Sequence, residues 1–496
     1  MSRSAVLSSE SFRTLRVWIR FGGLGVVCGL FILTLMHYPL KWRIAGLLGL
    51  CLPVVAVWTG NVRRFLLVLL TCSLPINADV NFFYREHIGG PGGLSLSVVD
   101  GLLLMLYALW MIEWVTQREP SPRLFPRATL PLLGFVGLNA LSVVRAEDPS
   151  LSLFQGFHLL KGVLLYLYVA NGIRDRKDLR YALGALMVGL CLESFLGFYQ
   201  YSSGGRIGLK VLGESGKVVT QKLGLQSVSR VVGTFGSPNT FAFYLGMILP
   251  TSMVLLLSSI GLWKKVLSTV ACGVGVATLG LTLSRGGWGG FAVSVLLAIW
   301  WMLRTGSMRK NRVYGLIGLI VFLGLLGGGL YGIVSSRLVS DDYGAAQLRI
   351  PMMRTALAII SAHPLLGIGA NNYSIVMQAY DTSPQQISTW FPYPVHNLFL
   401  LVASEAGVPA LMFFLTFLIA LYWMGRSSIR SRDGLVAMTA IGLLSGWVGF
   451  LLHALVDYVL IGLFVVFWYT AGLMCALYRM SAAPAIPLEG ERGFSV

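Results

Sequence analysis

Four short stretches of this sequence combine residue types that could do chemistry, and each lies where a long apolar run begins or ends. The first, residues 230–240, reads R-V-V-G-T-F-G-S-P-N-T. Ser237 is a good helix N-cap and Pro238 a good first helical residue, so a helix should start here with its positive dipole end beside Arg230 and Asn239. Free N–H groups next to a full positive charge favour an anion. A tight turn alone accounts for the glycines and the proline, but not for the arginine. The second stretch, L-T-L-S-R-G-G-W-G-G, sets Arg285 between two apolar runs joined by almost no loop. An arginine in such a nearly buried turn is costly unless it meets an anion or snorkels to lipid phosphate.

The third stretch begins at Arg349. After Pro351, apolar residues recur at Met352, Met353, Ala356, Leu357 and Ile360, one face of a short helix expected to lie flat on the membrane surface. Arg349 precedes that helix and Arg354 falls on its polar side. H-P-L-L-G-I-G follows and should reverse the chain, with His363 reading as a turn residue before its proline. The fourth is His396-Asn397, just after Pro394, in the first turn of another apolar run. A neutral imidazole there could take a proton from an attacking hydroxyl; a protonated one could hold a phosphate. A packing role is the plainer alternative for a lone histidine.

These residues need a scaffold, and composition says which kind. The chain has 496 residues, 56% hydrophobic and only 12% charged, with a mean hydropathy of +0.75. A soluble fold could not cover so much apolar surface, so the class is an all-α polytopic membrane protein. The net charge of +18 does not point to nucleic acid, because the basic residues form short clusters between apolar runs. Cys28, Cys51, Cys72, Cys191, Cys272 and Cys475 all lie inside those runs without pairing or metal-ligand spacing, and read as packing residues. The first run lacks a small-residue cleavage site and reads as a transmembrane helix rather than a cleaved signal.

About fourteen spans are expected, near 21–37, 44–59, 64–77, 97–115, 129–144, 157–173, 181–201, 238–261, 266–283, 287–303, 313–335, 395–424, 435–454 and 457–478. Placing both termini in the cytoplasm puts most lysines and arginines into short cytoplasmic loops, as the positive-inside rule asks. The long connections 78–96, 202–237 and 336–394 then fall outside, and so do Arg230, Arg285, Arg349, Arg354 and His396. Basic residues on that side suggest an external anionic ligand, although long loops translocate regardless of charge. The chain thus divides into N-terminal helices (1–200), a core with the large loop 336–394 (201–424), and C-terminal helices with a cytoplasmic tail (425–496).

Deeper in the bilayer lie Glu113, Lys161, Glu193 and Glu405, charges that must face protein or water. Lys161 with Glu193 is the expected structural pair, and a proton path is the sharper alternative. His453 and Asp457, spaced i, i+4, are expected to bond each other. No P-loop, HExxH, nucleotide-binding glycine turn or aspartate-rich motif appears, so neither a cofactor nor a metal is indicated.

Taken together, residues 230–424 resemble the O-antigen ligase/polymerase superfamily of bacterial envelope glycan enzymes. The resemblance rests on R-x-x-G-x-F-x-x-P-N, on L-S-R-G-G, on R-x-x-x-x-R followed by H-P-L-L-G-I-G, and on His-Asn followed after nine residues by Gly407. It implies a metal-independent membrane glycosyltransferase of type C in the bacterial inner membrane. Its donor would be a glycan on undecaprenyl diphosphate and its acceptor lipid A-core or another glycan, at the periplasmic face. Carried over by motif, Arg230 and Arg285 would hold the diphosphate and His396 would activate or orient the acceptor hydroxyl. Arg349, Arg354, Asn239 and Asn397 would line the substrate. A polymerase joining lipid-linked repeats shares the donor site; the spacing after His-Asn favours the ligase. A transporter of small solutes ranks third, since it would need a continuous polar path across the bilayer.

Overall fold

A computed structural model of the chain describes residues 59–116, 123–205, 219–223, 226–257, 261–306 and 345–482, with the isolated positions Gly29, Leu33, Gly208, Ser335 and Arg337. It divides into two compact units, Met1–Leu66 and Leu67–Val496. The spans expected at 21–37, 44–59 and 313–335 lie almost wholly outside the described residues. Among the described residues, nine helices are long and apolar enough to cross a membrane. They coincide with the fourth to tenth, twelfth and thirteenth expected spans. The third is a 12-residue helix, α1 (Val62–Ser73), ending two residues before Pro75, which disfavours helical conformation in the residue ahead of it.

Within the second unit the helices are α2 (Val98–Val115), α3 (Pro126–Ser142), α4 (Pro149–Gly172) and α5 (Arg176–Ser202), followed by α6 (Pro238–Leu256), α7 (Leu262–Leu281) and α8 (Arg285–Arg304). After the large loop's own helix, α9 (Ala345–Ala362), come α10 (Leu398–Ser428), α11 (Gly434–His453) and α12 (Val465–Ala482). Two antiparallel hairpins interrupt them: β1 (Asp79–Phe82) with β2 (Leu94–Ser97), and β3 (Val219–Leu223) with β4 (Gln226–Arg230). Both lie largely within the long connections 78–96 and 202–237. α6 is apolar all round and is buried against α7, α8 and α11, the arrangement a helix with no polar face requires. The last expected span begins eight residues late, at Val465, because 454–464 forms a series of turns carrying Asp457.

The large loop departs most from expectation. α9 starts at Ala345 and runs through Pro351 rather than beginning after it. Part of its apolar face is covered by protein: Met352, Ala356 and Ile359 are buried in one cluster with Tyr373, Met377, Ile387, Val395 and Leu401, while Leu357 stays exposed. A repeat of i, i+4, i+7 shows that one face is covered, without saying by what. The covering comes from the loop itself and from the start of α10.

α10 is broken at Gly407, whose φ of 88° and ψ of 165° are non-helical, and Pro409 follows. In an unbroken helix Val408 N–H would donate to Ser404, and residue 409 to Glu405, but proline has no N–H. The H-P-L-L-G-I-G turn supplies the missing partners. Ile368 N–H donates to the Ser404 carbonyl at 3.0 Å and Gly369 N–H to the Glu405 carbonyl at 3.0 Å, while Val408 N–H donates to Pro364 at 2.8 Å. A Cβ at Gly407 would collide with the Leu365 carbonyl, so only glycine lets the two backbones meet. Beyond the turn, Asn372 Nδ2 donates to Ser152 Oγ at 3.0 Å, and Asp148 N–H donates to Asn372 Oδ1 at 2.8 Å, tying the loop to the α3–α4 corner.

Gly407→Ala should therefore destabilise the protein by about 2–4 kcal/mol, combining left-handed strain with overpacking. Gly101→Ala, where nothing stands within 4 Å of the added Cβ, should leave stability unchanged or slightly raised. Melting temperatures in one detergent compare them; equal values for both variants would mean the break is not constrained by the docked turn.

Candidate active site

The expected site residues come from five separate elements. Arg230 ends β4, Asn239 is the second residue of α6, and Arg285 is the first of α8. Arg349 lies in α9, and His396 immediately precedes Asn397, the N-cap of α10. The starts of α6, α8 and α10 fall close to their expected places, whereas α9 begins ahead of Pro351. Ser237 occupies the α6 N-cap position with Pro238 next, although its side chain makes no capping bond. The α7–α8 turn is as short as expected: Leu283 adopts φ 54° and Ser284 Oγ accepts from Gly287 N–H at 3.3 Å.

A hydrogen-bond relay connects these elements. Arg230 Nε donates to the Thr282 carbonyl at 2.8 Å, and Arg230 Nη2 donates to Asn239 Oδ1 at 2.9 Å. Asn239 Nδ2 donates in turn to Asp457 Oδ2. Asp457 Oδ1 stands 2.8 Å from His396 Nδ1 and also accepts from Tyr458 N–H at 2.8 Å. A carboxylate only accepts, so His396 Nδ1 carries a proton, and in the neutral ring Nε2 is then the acceptor. The imidazole is flanked by Phe391, stacked at 6.0 Å between centroids, and by Tyr458, edge-on at 5.6 Å. Asp457 has 5% side-chain exposure and His396 19%, so the pair reaches solvent only through the histidine.

Asp457 was not among the expected site residues. Its anticipated partner was His453, but the side chain turns instead to His396, 61 residues upstream, and only its backbone N–H donates to the His453 carbonyl at 3.1 Å. His453 stacks on Phe243 at 3.7 Å and places Nε2 3.4 Å from Ser284 Oγ. A Cβ on Gly286 would stand 2.6 Å from His453 Cδ2, which explains why the turn bearing Arg285 carries glycine there. Burial by itself would raise the Asp457 carboxyl; the His396 hydrogen bond and charge, with help from His453 and Tyr458, bring it below its ordinary value.

Positive charge accumulates around this relay. Burial, then repulsion from Arg337, pulls the Arg230 guanidinium down to about 10, with Asp457 opposing. Arg337, 6% exposed, donates through Nε to the Leu283 carbonyl at 3.2 Å. It too is lowered to about 10, by burial first and then by repulsion from Arg285 and Arg349. Arg230 and Arg337 remain charged at neutral pH, and a guanidinium held among like charges gains most from an anion placed between them. Arg337, in the long connection 336–394, was not among the expected site residues.

Two expected residues stand apart. Arg354 lies five positions after Arg349, about 140° round the helix, on its exposed face. Asn397 uses its side chain locally: Oδ1 accepts from Phe399 and Leu400 N–H at 3.0 Å each, and Nδ2 donates to the Leu455 carbonyl at 2.9 Å. The intramembrane charges also find local partners. Lys161 pairs with Asp100 at 2.7 Å rather than with Glu193, and Glu113 pairs with Arg174 at 2.7 Å. Glu193 accepts from the Thr234 hydroxyl at 2.9 Å, and Glu405 from Tyr373 N–H at 3.3 Å. These contacts are separate from one another and form no chain across the bilayer. Among the described residues, no group of three or more His, Cys, Asp and Glu is placed to hold a metal ion.

The fold and site thus define a multi-span membrane protein with a cluster of arginines beside a histidine–aspartate pair at one end of its helix bundle. Residues 269–415 match the family model described as O-antigen ligase, a likeness over this part of the chain that supports a ligase- or polymerase-type role in polysaccharide biosynthesis. The matched region contains Arg285, Arg349, Arg354, His396 and Asn397; Arg230, Asn239 and Asp457 join them from outside it. No curated protein matches the chain.

Inorganic diphosphate should bind between these guanidiniums and raise the melting temperature of the detergent-purified protein. At a hundredfold excess over Kd the gain is about 2.7 kcal/mol. Arg230→Ala with Arg285→Ala should abolish the shift; an undiminished shift would place diphosphate elsewhere.

Proposed function

We propose that the chain transfers a glycan from undecaprenyl diphosphate to an acceptor hydroxyl, such as one on lipid A-core, at the periplasmic face of the bacterial inner membrane. The observation carrying this reading is the His396–Asp457 pair at 2.8 Å, joined by hydrogen bonds through Asn239 to an arginine. Proton acceptance and anion stabilisation are thereby linked in one cluster. The superfamily match supplies the glycan class, and the loops rich in lysine and arginine at the opposite helix ends support the periplasmic assignment of this end.

In the proposed step His396 Nε2 accepts the proton of the acceptor hydroxyl as its oxygen attacks the anomeric carbon of the donor sugar. The bond between that carbon and the diphosphate oxygen breaks, and its electron pair leaves on the diphosphate. Asp457 holds the ring with Nε2 available and stabilises the imidazolium that forms. Arg230, Arg285, Arg337 and Arg349 stabilise the charge developing on the leaving group, through planar donors suited to phosphate oxygens. Proton release from His396 to solvent or product completes the cycle. The donor bond already carries its activation, so the step calls for no nucleotide, and the guanidiniums take the charge-stabilising role that a metal would otherwise fill.

The test is reconstitution of purified protein with an undecaprenyl-diphosphate-linked glycan and chelator, with and without lipid A-core, read on a gel. Transfer to lipid A-core alone supports the ligase; a ladder without added acceptor would instead mean polymerase. His396→Ala and Arg285→Ala should abolish transfer, and Asp457→Asn should lower it by roughly 10²-fold or more while the protein stays inserted. Arg285→Lys should also be damaging, because the planar fork is lost. Full activity in both alanine variants would falsify the proposed site.

A further inference from the structure

α8 is a 20-residue helix that starts at Arg285 and ends at Arg304, roughly 30 Å away, at the end of the bundle opposite His396. α10 starts beside His396 and carries Arg426 in its last turn. Two indoles link these two arginines, and a third flanks Arg426. Arg304 Cζ lies 5.4 Å from the Trp300 ring centroid, and Trp300 meets Trp301 edge to face at 4.5 Å. Arg426 Cζ lies 5.9 Å from Trp301 and 5.2 Å from Trp423. The result is a continuous ladder of cation and ring across two helix ends.

Its polar groups lack acceptors. Arg304 and Arg426 have neither a carboxylate partner nor a hydrogen bond among the described residues. Trp301, 8% exposed, holds a buried Nε1 with no hydrogen-bond partner at the middle of the ladder. Leaving that donor unpaired has a cost that an oxygen ligand would remove. Below the ladder, toward the bilayer centre, Leu296 on α8 and Leu415 and Ile419 on α10 expose aliphatic surface. Last-turn arginines also complement helix dipoles, and tryptophans favour membrane interfaces in general. Neither tendency calls for the ladder or for an unpartnered indole within it.

We propose that this ladder is a binding site for an anionic phospholipid of the cytoplasmic leaflet, with the phosphodiester oxygens between Arg304 and Arg426 and the acyl chains along the exposed aliphatic faces of α8 and α10. Cation–ring contact uses none of the guanidinium hydrogen bonds, so both arginines keep planar donors for phosphate. The exposed leucines below select a lipid over a free phosphate, which would leave them uncovered. The site is independent of the transfer chemistry at the other end of the bundle.

The full chain in mild detergent is titrated with tetraoleoyl cardiolipin, dioleoyl phosphatidylglycerol or dioleoyl phosphatidylethanolamine, and adducts are read by native mass spectrometry. The wild type should hold its first anionic adduct on the order of tenfold more tightly than the zwitterionic one. Arg304→Gln with Arg426→Gln should remove that preference. Arg304→Gln alone, at an exposed helix end where folding is not at risk, should weaken it. Arg430→Gln with Arg432→Gln removes the same formal charge from the neighbouring loop and should leave the preference intact. Excess inorganic diphosphate should not displace the lipid. Equal affinity for all three lipids, equal loss from both double variants, or displacement by diphosphate would each overturn the proposal.

Discussion

The structure depends on one constraint: inside a bilayer, backbone N–H and C=O groups must find partners within the protein. α10 violates helical continuity at Gly407 and Pro409, which releases the Ser404 and Glu405 carbonyls and the Val408 N–H. The 364–369 turn satisfies all three. A connection that the sequence presents as a long external loop therefore becomes part of the packed bundle. Its docking seats α9 over the start of α10, and with α9 comes Arg349.

The same docking gives the candidate site its shape. His396 stands just before the α10 N-cap, where Asn397 closes the first turn and ties it to the Leu455 carbonyl. That tie brings the turns after α11, and so Asp457, against the imidazole. From the other side, β4 and the α6 start deliver Arg230 and Asn239, while the α7–α8 turn packs on His453 and presents Arg285. Helix starts and tight turns are well suited to this task, since their free N–H groups and dipole ends add to the positive field. The opposite helix ends hold cations as well, but beside tryptophans rather than beside a histidine and a carboxylate. One bundle thus presents two anion-seeking faces of different chemistry, one with a proton acceptor at its centre and one without.

Much of this was legible in the residues. Apolar runs of about twenty residues can only be spans, so nine of the expected helices reappear close to their expected positions. Ser-Pro at 237–238 and the glycines after Arg285 mark helix starts because capping and turn chemistry are local. Arg230, Arg285, Arg349 and His396 were identifiable because a charge or imidazole beside an apolar run has few inexpensive explanations. Pairings were less accessible. Asp457 looked like the partner of His453 four residues away, and Lys161 like that of Glu193, because spacing along one helix or between adjacent helices is all that a sequence displays. The hairpins were missed because short polar strands give only a weak alternating pattern.

What the sequence determined by itself was the solvent of the fold, the approximate place of most described spans, and Arg230, Arg285, Arg349 and His396 as candidates to hold an anion or move a proton, without Arg337 or Asp457. These follow from hydropathy, capping and charge, which act over a few residues. Only the tertiary structure decided that α9 turns part of its apolar face to protein, that a glycine break in α10 is closed by a distant turn, and that Asp457 orients His396. Those outcomes depend on contacts between segments far apart in the chain, chosen by which buried polar groups and apolar faces can be satisfied together.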